Sequence, residues 1–111
     1  MPSYRIAMST RAKTRLRDIC RYLEHDLDLH QSSTELLGEL RAKFGVLSTF
    51  PFAYSVDEEA SSVIGREIRG ARIRSFRLLY WVDKQRETVL VFSMRFGNES
   101  PASLCKSDFS L

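Results

Sequence analysis

Ser75-Phe76-Arg77-Leu78-Leu79-Tyr80-Trp81-Val82-Asp83 is an apolar, aromatic-rich run with one arginine set inside it. Its β-branched and aromatic content predicts a strand buried largely on both faces, where Arg77 requires either a partner or a task. Alternation along that strand puts Arg77, Leu79 and Trp81 on one face and Phe76, Leu78, Tyr80 and Val82 on the other.

The neighbouring segments extend this strand into a sheet. Val63 to Arg69 reads as a strand before it, Ile73 to Val82 spans the run itself, Asp83 to Glu87 is a polar turn, and Thr88 to Phe96 is a further strand. Together they predict an antiparallel meander. Upstream, Tyr4, Ile6 and Met8 alternate with Arg5 and Ala7 as in a short first strand, and Ser9 or Thr10 offers a helix cap. Ala12, Leu16, Ile19, Cys20, Leu23 and Leu27 then recur at helical spacing from about Arg11 to Asp26. Ser32 and Glu35 have capping-box spacing, and Leu36, Leu37, Leu40, Phe44 and Leu47 carry a second helix to about Thr49. Phe50-Pro51 ends it, and Phe52 to Ser62 reads as a loop. The order β-α-α-β-β-β is an α+β fold: an antiparallel sheet with a two-helix hairpin on one face and the other face left partly open. Arg77 and Trp81 then point into that open, concave face.

One domain accounts for all 111 residues, with 97–111 as an irregular tail that shows no periodicity. The net charge is only +3, but Arg11, Lys13, Arg15, Arg17 and Arg21 form one basic cluster and Arg66, Arg69, Arg72, Arg74 and Arg77 another. Such local fields suit an acidic partner, nucleic acid or peptide. Cys20 and Cys105 lack paired spacing, which fits a reducing cytoplasm. No run of about 18 apolar residues is present to span a bilayer. The two histidines, His25 and His30, are too isolated for a metal site, and the five glycines form no phosphate cradle, so no metal, ATP or NAD cofactor is expected.

Tyr4 to Ala12, Leu16-Arg-Asp-Ile19, Tyr22-Leu23, Leu47-Ser-Thr-Phe-Pro51, Gly65-Arg-Glu-Ile68 and Phe76 to Asp83 resemble, in order and spacing, the RelE/ParE toxin superfamily. The resemblance spans roughly Tyr4 to Phe96. It implies the toxin of a bacterial type II toxin-antitoxin module, held as a hetero-oligomer with a small cognate antitoxin. RelE-like members cut messenger RNA on the ribosome; ParE-like members poison DNA gyrase without catalysis of their own.

Cleavage of RNA through its 2′-hydroxyl requires a base, cations for the phosphorane charge and an acid for the leaving oxygen. Arg77 matches the family's strand arginine, and Arg69 stands near one of its upstream bases, which makes these two the catalytic candidates on the nuclease reading. Glu99, however, falls about where RelE-like members carry an arginine, and no tyrosine or histidine follows Tyr80. A carboxylate there repels phosphate. The resemblance therefore implies the ParE-like branch, with DNA gyrase as target, a ribosome-dependent endoribonuclease as the alternative, and an inactive antitoxin-binding member as a third. The expected target- or antitoxin-binding residues are Arg66, Arg69, Arg77, Trp81 and Arg95, on the open face of the sheet. A structural reading stands beside this: Arg77 paired with Glu67 on the neighbouring strand and lying over Trp81.

Overall fold

The computed structural model describes residues 3–26 and 30–96. Strand β1 (Arg5–Met8) leads into helix α1 (Thr10–Arg21), which ends in a π-helical turn, Tyr22–Asp26. Helix α2 (His30–Thr49), a short helix α3 (Glu58–Ile64) and strands β2 (Ile68–Ile73), β3 (Phe76–Asp83) and β4 (Thr88–Phe96) follow. The strands lie in the order β1-β4-β3-β2. The meander is antiparallel as expected, and β1 joins it in parallel to β4, so the sheet is mixed.

Ser9 caps α1 and also locks it to the sheet. Its Oγ accepts from Ala12 N at 3.1 Å and donates to Phe92 O at 3.2 Å, while its own N–H donates to Val91 O at 2.9 Å. A buried hydroxyl that both donates and accepts offsets its desolvation cost. At the second helix the expected cap fails: Ser32 lies inside α2, which already begins at His30.

Two cores flank the sheet. Ile19, Leu36, Leu40 and Leu47 of the hairpin pack on Ala71, Phe76, Leu78, Tyr80, Val89, Val91 and Met94. On the opposite side Ala60 and Ile64 of α3 pack on Ile68, Leu79, Leu90 and Phe92. This second layer corrects the expected loop over Phe52 to Ser62 and the expected strand over Val63 to Arg69. Asp57 caps α3, its Oδ1 accepting from Ala60 N at 3.0 Å, and Gly65 ends it at φ 82°, the left-handed conformation that glycine adopts without strain.

The β2–β3 turn is also displaced from the expected gap between Arg69 and Ile73. Ile73 pairs with Phe76, leaving only Arg74 and Ser75 to make the turn, with Arg74 at φ 54°. A non-glycine residue in that region is held by its surroundings. Here the Arg74 guanidinium donates to Glu35 at 2.7 Å and Glu39 at 3.0 Å on α2, and these bonds raise its pKa above the ordinary value.

Tyr80 is wholly buried in the hairpin core, and burial pushes its phenol up to about 12, against smaller opposing contributions from the Tyr54 backbone and the Arg69 charge. A phenol whose folded pKa exceeds its unfolded one stabilises the fold below the unfolded value near 10 and loses that contribution as pH climbs toward 12. Stability is therefore expected to decline over this alkaline window. Tyr80→Phe should remove that part of the decline, and because no geometrically sound hydrogen bond to the hydroxyl is seen among the described residues, it should cost no more than about 0.5 kcal/mol at neutral pH. Urea titrations of both proteins at pH 7, 10 and 11 measure this.

Candidate binding surface

In a hairpin closed by two residues, odd positions of β3 face even positions of β2. Arg77 therefore stands opposite Arg72, and across the other edge of β3 it stands opposite Arg95. With strands about 4.8 Å apart, the three arginines cross the sheet in a row of about 10 Å. Arg95 joins the row because β4 carries one extra residue: Leu79 pairs with Ser93 and Tyr80 with Val91, so Phe92 is a bulge. The shift of one residue decides which face Arg95 occupies.

Helix α3 divides the face expected to be open into two parts. Its residues Ala60 and Ile64 cover Leu79 and Phe92 in the middle, with the arginine row at one end and Trp81 at the other. At the row, a cleft of about 360 Å³ is lined by Gly70, Arg72, Phe76 and Arg77. Gly70 makes this possible: a Cβ there would lie 3.1 Å from Arg77 Nε. Arg77 Nη2 reaches Asp57 Oδ2 at 3.0 Å, and the Arg77 side chain remains 42% exposed while that of Asp57 is 5% exposed. One carboxylate thus caps α3 with one oxygen and steadies the central arginine with the other.

The remaining expected residues separate from Arg77. Arg66 stacks over Trp81 at 4.6 Å, occupying the place expected for Arg77, and both line a hollow of about 750 Å³ with Phe52 and Lys84. Arg69 is on the opposite face, opposite Tyr80. It donates to Tyr54 O at 2.7 Å and Glu67 Oε1 at 2.9 Å and lies 5.0 Å from the centre of the Phe52 ring. Glu67 is therefore the partner of Arg69, and Asp57 takes the role expected of Glu67. Arg69 and Arg77, the pair expected on the nuclease reading, therefore lie on opposite faces of the sheet. Glu99 and the tail lie outside the described residues.

Sequence reasoning missed Arg72, Asp57 and Gly70 as parts of this surface. The signal for Arg72 is the turn at Arg74-Ser75; once that is placed, pairing with Arg77 follows. Among the described strand residues on the arginine face there is no histidine, lysine or tyrosine, and the charge of the row is suited to binding and neutralising anions. No cluster of three or more potential metal ligands occurs among the described residues, nor is any described helix long and apolar enough to cross a membrane.

A third concavity lies on the hairpin side. Arg15, Ile19, Tyr22, Leu23, Leu36 and Phe76 line a mainly apolar groove of about 700 Å³ between the two long helices and the start of β3. Arg15 Nε donates to Met94 O at 3.2 Å and fixes one wall.

Residues 6–99 match the family described as ParE toxin of type II toxin-antitoxin system, parDE. No curated protein sequence matches the chain. Among solved structures, a doubly substituted Escherichia coli toxin RelE in the free state superposes with a TM-score of 0.60 at 18% identity, over 91% of this chain and 87% of that one. The toxin-antitoxin complex RelBE2 from Mycobacterium tuberculosis gives 0.54 at 21% identity, over 85% of this chain and 98% of that one. These likenesses establish a RelE-like α+β fold.

Proposed function

Because the chain belongs to the ParE toxin family of type II toxin-antitoxin systems, we propose that it inhibits growth in the cytoplasm by binding DNA gyrase, and that a cognate antitoxin neutralises it. The observation that carries this reading is the arginine face. Arg72, Arg77 and Arg95 stand side by side on neighbouring strands, with no histidine, lysine or tyrosine among the described strand residues of that face. Such a surface recognises carboxylates or phosphates bidentately and does no bond-breaking of its own. The apolar groove beside α1 suits an amphipathic segment of the antitoxin, which would cover apolar area and basic rim together.

The same three arginines favour one second reading. Three cations in a row also suit the charge of a pentacoordinate phosphate, the term a ribosome-dependent endoribonuclease needs most. The purified chain should be assayed on gyrase supercoiling and on messenger RNA in a translating ribosome mixture. Inhibited supercoiling with intact message is the expected result. Cleavage in the decoding site with unaffected gyrase would establish the second reading in its place, and inertness in both would leave an inactive antitoxin-binding member.

A further inference from the structure

Away from the arginine row, the hollow that holds Trp81 brings two aromatic rings together with a group of cations. The Arg66 guanidinium lies over the Trp81 ring at 4.6 Å, while the Arg69 guanidinium and the Lys84 ammonium stand 5.0 and 5.3 Å from the centre of the Phe52 ring. Such contacts occur about once per 70–80 residues in proteins. Three of them around one hollow therefore mark it out from an ordinary solvated surface. Phe52 is 41% exposed, so its ring keeps an accessible surface, and Arg66 and Lys84 are exposed too.

The walls are set by the ends of ordered elements. Phe52 follows the buried Pro51 at the end of α2, and Arg66 follows Gly65, the residue that stops α3. Lys84 opens the β3–β4 turn, which is pinned by Arg86 N donating to Asp83 Oδ1 at 3.2 Å and by Thr88 Oγ1 donating to Arg86 O at 3.0 Å. The hollow is thus built before any ligand arrives, and its volume of about 750 Å³ falls inside the range of about 300–1,000 Å³ usual for small-ligand sites.

Its charge is positive. Arg66, Arg69, Lys84 and Arg86 stand around it against Glu67 and Asp83, and Glu67 accepts from Arg69 at 2.9 Å while Asp83 lies 3.9 Å from Arg86. An anion is favoured there. The rings add a second demand, because aromatic faces and guanidinium planes together stack flat, conjugated groups. An acidic peptide would satisfy the charge and leave the rings unused, whereas a nucleotide satisfies both.

We infer that this hollow receives one unpaired nucleotide of a single-stranded nucleic acid, with the base stacked on the Phe52 ring beside the Arg66 guanidinium and the phosphates held by Lys84 and Arg86. A base within a duplex is already paired and stacked, and cannot enter. The site lies apart from the arginine row and from the apolar groove beside α1, and it does not depend on gyrase being the target.

The chain has a single tryptophan, so its fluorescence reports on this hollow alone. Short oligothymidylate and oligouridylate, titrated into the purified full chain, should quench Trp81 saturably, and a blunt DNA duplex of equal length should not. Phe52→Ala should weaken binding about tenfold, the usual effect of losing one base stack. Lys84→Gln, in an exposed turn, should lower the slope of log affinity against log salt by about 1. Thermal unfolding of both variants checks that they are folded. No saturation by either strand up to about 1 mM, well above the range of ordinary non-specific binding, would overturn the site. So would equal quenching by the duplex, equal affinity for a short polyglutamate, or unchanged binding and salt slope in the folded variants.

Discussion

Asp57→Ala is expected to destabilise the fold by about 2–3 kcal/mol, the sum of a lost helix cap and a lost ion pair. The carboxylate is buried, accepts Ala60 N–H with one oxygen and meets Arg77 with the other. Its loss should lower the melting temperature by about 8–24 °C, given about 4–8 °C per kcal/mol for a domain near this size. Asp57→Asn keeps the cap oxygen and should cost only about 1 kcal/mol. Arg77→Ala leaves the buried carboxylate without its cation and should cost about 2 kcal/mol, whereas Arg77→Ala combined with Asp57→Asn should cost less than the two changes added. A urea-unfolding cycle over the four proteins measures the coupling. Additive costs would show that the pair contributes nothing and that Arg77 is held only by packing. The cycle also guards the functional experiment, because Arg77→Ala reduces toxicity through folding unless stability is restored.

Arg72→Glu separates folding from function more cleanly. It places a carboxylate directly opposite Arg77, where an arginine now stands, and should leave stability within about 0.5 kcal/mol, because an opposite-charge pair in place of a like-charge one offsets the lost bond from Arg72 Nε to Arg74 O at 3.3 Å. Growth inhibition should nonetheless fall sharply, by a hundredfold or more in potency, if the row grips an anionic target, because an interfacial arginine carries about 2 kcal/mol and reversal adds repulsion. Potency is read as the inducer level that halves colony formation, and stability by thermal unfolding of the same protein. Full toxicity in a protein of unimpaired stability would remove the arginine row from the target interface.

The sequence made the strand run of β3, the β4 strand, the polar turn between them and the two-helix hairpin legible, because each has a clear period and a chemical stop signal. Where reading failed, the cause is local. Gly70 imitates a turn, whereas its actual use is mid-strand, as the place where Arg77 lies across β2. The true turn uses Arg74 and Ser75, neither of them a residue that announces positive φ; Glu35 and Glu39 on a distant helix hold it. Helix α3 had its signals in order: Asp57 as cap, two acids after it, Ala60 and Ile64 four apart, and Gly65 as stop. The β-branched Val63 and Ile64 next to Ile68 outweighed them in a strand reading.

The face of each candidate depended on register, which no local pattern carries. Arg69 and Arg77 share parity, yet the two-residue turn sets them on opposite sides, and Arg95 reaches the row only through the bulge at Phe92. Membership of the toxin family was legible because it rests on order and spacing along the chain. The site was half legible because it rests on how strands slide past one another.

The parallel pairing of β1 with β4 carries a consequence for synthesis. Arg5 meets Thr88, so the first strand finds its partner 83 residues later. At about 5–20 residues per second, roughly 4–17 s separate the emergence of the two. Until then β1 has no neighbour in the sheet and Ser9 no carbonyl at Phe92 to hold α1 in place. The proposed toxicity therefore has to wait for β4, and an antitoxin already present in the cell can meet the completed sheet only after that strand has emerged.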